Sequence, residues 1–498
     1  MYNSDDTQAY WNQIQSYLKI QRANERYIKR LAWLLIFGLI LCSNYLLDKR
    51  PEIVSIDKAF LALGVVWLGF LPCIQYLFDR HRSLMPFFPL VGIYYATSFG
   101  LPIFSSKSEL SGRFSISNVS NEALTLTLLG LAAMNIAFFI SKYTIWNKIK
   151  PIRLPQTYSL DKLLIFLWVL ILLNTAARYI PSIRSIPSIG MFIGGGLYLA
   201  YGMFYILWSR GKLPKTQVWL LLLIFLPIDI IPRLSSGLLA EIMILFLFMF
   251  NIVWFVHRKI PVILISILIV LYLAFSPVKA EYRNLTWNSR KPEAQLNPIE
   301  RLQLFINLSI EYHQKYTFNK ESIYRAPKIS ATDKAAERSA MIIFLSDVMK
   351  NTPEIVPYWN GETYLPLLTS YIPRIIWPDK PEIRIGNDFG HRYKILDADD
   401  FSTSMNLPMI VEMYVNFGSW GVIIGMSLLG SLLVFIDKKL NHPNMSELEF
   451  AVGASTMFQL VYQETNASLL FGPLIPFLLV IHILFKFFIS PIPNMQKK

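Results

Sequence analysis

Two titratable side chains in the second half of the chain could exchange a proton with a substrate. Glu412 lies where an apolar pattern resumes after a long polar stretch, so partial burial would disfavour its charged form. His391 carries an imidazole, which titrates near neutrality. Glu464 is a weaker third candidate. Simpler interpretations remain open, because Glu412 could pair with an arginine and a single histidine in a loop is commonly a hydrogen-bonded structural residue.

Several arginines lie near the ends of apolar runs or within the polar stretch. Their planar guanidinium groups could each bind two phosphate oxygens. The candidates are Arg233, Arg283, Arg338 and Arg374. Arg233 lies between Asp229 and Glu241, so an ion pair joining two helices is the alternative to a phosphate clamp. Arg283 could be a snorkelling anchor at the membrane interface, and Arg374 could pack on an aromatic ring.

Aromatic and acidic side chains supply two further kinds of candidate. Tyr364 and Trp377 could stack on sugar rings or belong to an interfacial aromatic belt. The acidic run of Asp397, Asp399 and Asp400 is the feature that most resembles a metal site. Its spacing is not diagnostic and such runs are usually solvated, so we expect no metal.

The elements that position these residues must be membrane helices. The chain has 498 residues, of which 54% are hydrophobic and 16% charged, against about 25% charged in soluble domains. Twelve apolar runs are each near the length that crosses about 30 Å of hydrocarbon as a helix. They lie at roughly 31–47, 59–78, 84–105, 123–140, 163–180, 187–208, 217–232, 238–256, 260–276, 420–436, 449–467 and 469–487.

Basic residues alternate between the connections of these runs. With the N-terminus inside, the even-numbered connections face the cytoplasm and hold most of the Lys and Arg, as the positive-inside rule requires. The pattern predicts both termini in the cytoplasm. It also accounts for the net charge of +14, so we expect no nucleic-acid partner. Cys42 and Cys73 lie inside apolar runs and predict no disulfide framework.

The sequence therefore predicts an all-α polytopic membrane protein with a large, partly helical extracytoplasmic segment between helices 9 and 10. Asn297-Pro298-Ile299-Glu300 has the residues of a helix start, and a second helix is predicted around 333–350. The predicted organisation is a cytoplasmic basic amphipathic segment (1–30), spans 1–9 (31–276), the extracytoplasmic segment (277–419), spans 10–12 (420–487) and a cytoplasmic tail (488–498).

Residues 277–430 carry a more specific signal. They contain Asn360-Gly361-Glu362-Thr363-Tyr364, Ile372-Pro373-Arg374, Trp377-Pro378-Asp379-Lys380-Pro381, the stretch 387–393 and Glu412-x-Tyr414-x-Asn416-Phe417-Gly418. Lys279-x-Glu281-Tyr282-Arg283 follows the ninth run. With these motifs the chain resembles the Wzy-type polymerases, which join oligosaccharide repeat units into O-antigen or exopolysaccharide in bacterial inner membranes. Outside this region the likeness is one of topology and hydropathy.

The resemblance implies a GT-C-like membrane glycosyltransferase whose donor is a polyprenyl-pyrophosphate-linked oligosaccharide. The arginines named above would then bind pyrophosphate, and Glu412 or His391 would take the proton of the acceptor hydroxyl. Substrate contacts would come from Tyr364, Trp377, Tyr414 and Asn416. No cofactor is expected. Expected partners are the lipid-linked oligosaccharide, the bilayer and, as a further candidate, a chain-length regulator protein.

Two other functions stay open at this point. An O-antigen ligase would use the same donor with a different acceptor. A lipid-linked glycan transporter or flippase would do no chemistry, but such transporters usually contain two related halves. No half-to-half correspondence is visible in the sequence.

Overall fold

The computed structural model describes residues 4–489, with the side chains from residue 25 onward. The exceptions are 106–112, 156–157, 181–182, 184–194, 238, 258, 260, 288–290, 316–339, 371, 373–376, 378, 380–383, 402 and 406. Within this part of the chain all regular structure is helical. That agrees with the predicted all-α class.

A helix coincides with each of the twelve apolar runs. These helices are α1 (Ser4–Asp48), α2 (Ile56–Phe78), α3 (Phe87–Tyr95), α4 (Asn121–Tyr143), α5 (Leu160–Tyr179), α6 (Gly195–Ser209), α7 (Lys215–Ser235), α8 (Leu239–His257) and α9 (Val262–Phe275). After the long connecting segment come α15 (Met409–Leu440), α16 (Glu447–Val461), the short α17 (Ala467–Phe471) and α18 (Leu474–Leu484). Single π turns lie within α7 and after α3 and α18.

Where the connecting segment is described, it contains five α-helices of its own. They are α10 (Lys279–Thr286), α11 (Pro298–His313), α12 (Ile342–Asn351), α13 (Leu365–Ser370) and α14 (Ile385–Arg392). The predicted start of α11 is confirmed, because the Asn297 side chain and Glu300 form a reciprocal capping box. The second predicted helix is observed from Ile342, and residues 333–339 lie outside the described residues.

Eight helical segments in the described residues are long and apolar enough to cross a membrane. Two shorter apolar helices, Glu241–His257 and Val262–Phe275, add to these. Many of these helices expose large apolar side chains, such as Leu223, Ile263 and Leu428. Exposed apolar surface on this scale is typical of lipid contact. The chain is therefore a helical membrane protein.

Alternate connections of the helices contact one another on one face of the bundle. The connection after α2 pairs Asp79 with Lys142 at the end of α4, at 2.6 Å. In the connection after α6, Arg210 lies 2.6 Å from Glu447. Arg153, after α4, pairs with Glu449 at 3.6 Å. We call this the basic face, formed by the connections after α2, α4, α6 and α15.

The connection after α3 and the long segment between α9 and α15 contact each other on the opposite face. Arg113, in the connection after α3, forms a bidentate ion pair with Asp347 in α12, with both N–O distances at 2.7 Å. Lys350 of α12 donates to the carbonyl of Asn118. Ala467, the first residue of α17, donates its main-chain N–H to Glu412 of α15. We call this the cap face, because the long segment between α9 and α15 covers it.

The core of the bundle is the packing of α15 against α4. Gly430 makes this close approach possible, because an added Cβ would lie 2.3 Å from the carbonyl oxygen of Met134. Buried apolar side chains fill the remaining contact, among them Leu131, Met426 and Leu433. The helix that carries the Glu412 motif is thus fixed by main-chain contact with its neighbour.

Helix α15 is interrupted at Phe417 and Gly418. Gly418 has φ +64° and ψ −151°, a conformation that is essentially restricted to glycine. The hydroxyl of Tyr358 would also lie 2.7 Å from an added Cβ. Residues 409–416 before the break are all buried, whereas the helix beyond it exposes apolar side chains such as Trp420 and Ile424. The predicted start of the tenth span at residue 420 follows this break directly.

Two predicted boundaries differ from the helices observed. The segment 1–30 was expected as a separate unit, but α1 continues without interruption from Ser4 to Asp48. The eleventh run was expected to extend to residue 467, but α16 ends at Val461. The side chain of Asn466 caps the next helix by accepting from the Leu469 N–H, so the polar residues between them form a turn.

We expect Gly418→Ala to destabilise the protein by about 1–3 kcal/mol, because alanine cannot adopt this backbone conformation without strain. Thermal unfolding in detergent measures the effect. Gly38→Ala is the matched control, since Gly38 lies within α1 and has nothing within 4 Å of an added Cβ. An unchanged unfolding temperature for Gly418→Ala would contradict the proposed role of the break.

Candidate active site

The two motifs singled out in the sequence are hydrogen-bonded to each other. Residues 359–362 form a tight turn in which Asn360 (φ +49°) and Gly361 (φ +93°) are left-handed. The Glu362 N–H donates to the Trp359 carbonyl across it at 3.0 Å. The Asn416 side chain accepts from the Gly361 N–H and donates to the Thr363 hydroxyl, both at 2.8 Å. The turn is therefore fixed on the buried first part of α15.

Glu412 lies one helical turn before Asn416 and is fully buried. Its Oε2 accepts the main-chain N–H of Ala467, the first residue of α17, at 2.7 Å. In the part of the chain that the structure describes, its Oε1 makes no hydrogen bond of good geometry, and the Thr363 hydroxyl is the side-chain group that interacts with this carboxyl. Within the described residues no basic side chain forms an ion pair with it. A carboxyl group so desolvated and so incompletely bonded is unusual in a folded protein, and it is suited to accept a proton.

Tyr364 lies beside this carboxyl group. Burial, and then the negative charge of Glu412, raise the pKa of the Tyr364 hydroxyl. Its ring stacks on Phe417 at the break in α15, with the centroids 6.4 Å apart and the planes 9° apart. Tyr364 is half-buried, so one part of the ring is accessible from the cap face.

A second polar cluster lies on the cap face at the end of α7. The Arg233 Nε donates to both oxygens of Asp229, at 3.1 and 3.0 Å, and both side chains are buried. Arg178 of α5 approaches the same carboxylate at 3.1 Å. Glu241 of α8 lies 3.7 Å from Arg233 and keeps 42% of its side chain exposed. Two cations and two carboxylates balance each other here, and Glu241 is the loosest member.

Arg283 approaches the turn that follows Arg233. Its Nε donates to the Gly237 carbonyl at 3.2 Å, and its guanidinium lies 4.4 Å above the ring of Trp287. The Tyr282 hydroxyl donates to the carbonyl of Ser235. Helix α10 thus packs on the turn 235–237. Two of the predicted phosphate-binding arginines are placed near one turn, whereas Arg338 and Arg374 lie outside the described residues.

A cavity of about 280 Å³ lies between the two clusters. Tyr198 lines it and also lies beneath the Arg233 guanidinium, at 5.9 Å. On the other side, Thr465, Leu469 and Leu470 line it, and these residues flank the Ala467 N–H that binds Glu412. Thr456, Gln459 and Tyr462 add polar groups to the wall. The cavity thus adjoins Arg233 through Tyr198, and it adjoins the turn that binds Glu412 through residues 465–470, although neither Arg233 nor Glu412 is among its described lining residues.

His391 holds a loop in the described structure. Its Nε2 lies 3.0 Å from the Asp400 carbonyl, and the ring of Phe401 covers it at 5.3 Å. The following residue, Arg392, lies 4.5 Å above the ring of Trp359. Helix α14 is thereby packed against the turn 359–362. These contacts fit the structural interpretation of His391, and its catalytic role stays a prediction.

The predicted substrate-binding residues are placed differently from one another. Asn416 is fully buried, and its amide is bonded to protein groups. Tyr414 is also buried, with its hydroxyl 3.5 Å from the Thr352 carbonyl. Tyr364 is half-buried beside Glu412, and Trp377 is exposed. Tyr364 and Trp377 are thus the two with ring surface available to a ligand.

The acidic run also has local structural contacts. The Asp400 side chain accepts from the Thr403 N–H at 2.9 Å, and the Asp400 N–H donates to the Asp397 carbonyl. Across the described residues, no three His, Cys, Asp or Glu side chains are grouped so that they could hold a metal ion. The prediction that the site uses no metal remains to be tested.

Sequence reasoning did not identify the polar residues of the cavity wall. Tyr198, Gln459 and Thr465 lie inside runs that were interpreted as membrane-spanning segments. A signal was present, because the polar sequence Gln463-Glu464-Thr465-Asn466 interrupts two apolar runs. Such an interruption at the end of a predicted span indicates an ordered turn that contacts protein or a cavity.

Comparison with known proteins gives one match. A family model described as a domain of unknown function (DUF8712) matches residues 93–491. The matched region begins within α3 and includes both polar clusters and the cavity between them. No curated protein and no solved structure matches the chain.

We expect Asp229→Asn and Glu241→Gln to differ sharply in stability. The first leaves the buried Arg233 without its main partner and should lower the free energy of unfolding by about 3–5 kcal/mol. The second removes a partly exposed contact and should change it by less than about 1 kcal/mol. Thermal unfolding in detergent compares the two. Equal effects would mean that Glu241 is as firmly bound as Asp229.

Proposed function

We propose a glycan-polymerising activity for this chain, which belongs to the DUF8712 family of unknown function. The substrate would be a polyprenyl-pyrophosphate-linked oligosaccharide repeat unit, and the product a surface polysaccharide such as O-antigen, capsule or exopolysaccharide. The observation that carries the proposal is the buried Glu412 carboxyl, which is bonded to the turn at Ala467 whose neighbours line a cavity, together with Tyr198 of the same cavity wall, which lies beneath Arg233.

The reaction is a glycosyl transfer. The bond between the anomeric carbon of the growing chain and its pyrophosphate breaks, and polyprenyl pyrophosphate leaves with the bonding electrons. A hydroxyl at the non-reducing end of the next unit forms the new glycosidic bond and releases its proton. Glu412 accepts that proton, while Arg233 and Arg283 stabilise the charge on the departing pyrophosphate.

The charge arrangement supports this division of roles. Arg233 and Arg178 share the Asp229 carboxylate, and no arginine of the described residues pairs with Glu412. A base neutralised by a neighbouring cation would be less able to take a proton. The weakly held Glu241 is the group that an entering pyrophosphate would displace from Arg233.

The proposed topology is twelve spans in a GT-C-like arrangement in the bacterial inner membrane, with both termini cytoplasmic. The connections lie on two faces of the bundle. This is the arrangement expected if each helix between them crosses the membrane once, and it supports the proposed spans. Lys and Arg concentrate on the basic face, for instance at Arg80, Lys148 and Lys212, and by the positive-inside rule this supports a cytoplasmic location for that face. The cap face, with the cavity, then faces outward.

Cysteine labelling tests the topology. In a variant without Cys42 and Cys73, single cysteines replace the exposed Asp399 on the cap face and the exposed Lys212 on the basic face. A membrane-impermeant maleimide added to intact spheroplasts should label position 399, and position 212 only after lysis. Labelling of position 212 in intact cells would overturn the orientation.

Turnover tests the activity and its base. Purified protein in nanodiscs, given lipid-linked repeat units alone, should produce a ladder of longer glycans. In Glu412→Gln the amide oxygen can still accept the Ala467 N–H, so the fold should persist and donor binding should stay nearly intact. Polymerisation should slow by about 10²–10⁴-fold, the usual contribution of a general base.

His391→Gln and Glu464→Gln are the comparison variants, because they remove the other candidate bases. Normal turnover in Glu412→Gln together with a slow His391→Gln would transfer the role to the histidine. Normal turnover in both would leave Glu464. Transfer of a single unit to a non-polymer acceptor would indicate a ligase, and movement of donor across the membrane without glycan lengthening would indicate a transporter.

Addition of EDTA tests metal independence in the same assay. Arginines can stabilise the departing pyrophosphate without a cation, so we expect the ladder to form unchanged. Complete inactivation that added magnesium or manganese reverses would show a required metal. The acidic run at Asp397, Asp399 and Asp400 would then be the first place to look for its ligands.

A further inference from the structure

A second cavity opens on the basic face, away from the candidate active site. Its volume is about 360 Å³. It is enclosed by the end of α15, the start of α16, helix α18 and the non-helical segment 152–154. Its wall is mostly apolar, and it includes Leu154, Val452 and Leu478. None of these residues takes part in the chemistry proposed above.

The cavity opens sideways onto the surface of the helix bundle. Ile475 and Leu479 of α18 line it and are 54% and 57% exposed. From His482 to Ile475 the cavity follows α18 for about 10 Å, at 1.5 Å per residue. In a helix that crosses a membrane, such an opening faces acyl chains, and water does not fill an apolar cavity of this kind. A hydrocarbon chain is the occupant that matches the wall.

The mouth of the cavity on the basic face carries positive charge. Arg153 and Lys439 line it, and the Arg153 side chain is 52% exposed. Among the described lining residues the carboxylate is Glu449, which is buried, accepts the main-chain N–H groups of Leu154 and Ser446, and also pairs with Arg153 at 3.6 Å. The Arg153 charge is thus partly compensated from the inner side, and Lys439, for which the described residues show no ion pair, keeps the rim positive. The rim suits a phosphate group at headgroup depth.

The neighbouring His442 adds no further charge at neutral pH. Burial, and then the nearby Arg153, lower the pKa of its imidazole. Lys438 and Lys150 lie next to the rim residues in the sequence and extend the basic surface. Charge and shape therefore agree, with an apolar slot in the membrane and a cationic rim above it.

We propose that this cavity is a binding site for one anionic glycerophospholipid, with its phosphate on Arg153 and Lys439 and one acyl chain along Val452 and Leu478. The site contacts α15, α16 and α18. The opposite end of α15 carries Glu412, and the opposite ends of α16 and α18 line the first cavity, with the turn capped by Asn466 between them. This proposal requires the three helices to lie in a membrane, and it does not rest on the proposed glycosyl transfer.

Lipid retention tests the site without any turnover assay. The full chain is reconstituted with equal phosphatidylglycerol and phosphatidylethanolamine, transferred to detergent, and the lipids that remain bound are counted by native mass spectrometry. The wild type should retain one phosphatidylglycerol. The double variant Arg153→Ala/Lys439→Ala should retain it at least about tenfold less, since each cation near an anionic headgroup contributes about a fivefold effect.

Two further variants separate the site from general effects. Lys212→Ala/Lys215→Ala removes the same charge from exposed positions of another connection on the basic face and should leave retention unchanged. Leu479→Trp blocks the opening with the charges intact and should lower retention, whereas Leu223→Trp, at a 66% exposed position on α7, should not.

If the wild type retained the two lipids equally, the retained molecules would be non-specifically bound bulk lipid, and the proposal would be overturned. Equal loss in Arg153→Ala/Lys439→Ala and in Lys212→Ala/Lys215→Ala would also overturn it. If the Arg153 variant fails to fold, Leu479→Trp decides the question, because an exposed substitution preserves the core. Normal retention in Leu479→Trp would exclude the cavity as the lipid site.

Discussion

The interaction on which the cap face depends is the hydrogen bonding of Asn416 to the turn at 359–363. Asn416 is fully buried in α15, so its amide must be satisfied by protein groups. It meets this requirement through the Gly361 N–H and the Thr363 hydroxyl. The left-handed pair Asn360-Gly361 shapes the turn that presents them.

The same arrangement explains how the Glu412 carboxyl group can be accommodated although it is fully buried in the protein. Thr363 also accepts a hydrogen bond at its carbonyl from Ser468 in α17, and Ala467 beside it donates to Glu412. The turn, α15 and α17 therefore hold one another, and Glu412 lies at their junction. One of its oxygens stabilises this junction, and the other makes no hydrogen bond of good geometry within the described residues. Structural support and reactivity are divided between the two oxygens of one side chain.

How much of this could be derived from the sequence depends on the range of each interaction. The apolar runs and the capping box at Asn297 are local patterns, and each coincides with an observed helix or helix start. The contact of Glu412 with Ala467 joins residues 55 apart, and that of Arg178 with Asp229 joins residues 51 apart. No periodicity encodes such pairs. The sequence could therefore nominate Glu412 and Arg233, but the cavity between them required the packing of the helices.

The separation of charges on the cap face is what makes the two clusters chemically different. An arginine placed next to Glu412 would have satisfied the buried carboxylate and removed its capacity to accept a proton. Arg233 instead has Asp229 on its own helix, one turn away, so its charge is compensated before any substrate arrives. Both groups are linked to the wall of the same cavity by a neighbouring residue, Glu412 through the turn at Ala467 and Arg233 through Tyr198. A diphosphate could thus replace Glu241 at the arginine cluster while a hydroxyl approaches Glu412. Neither event would leave a buried charge without a partner.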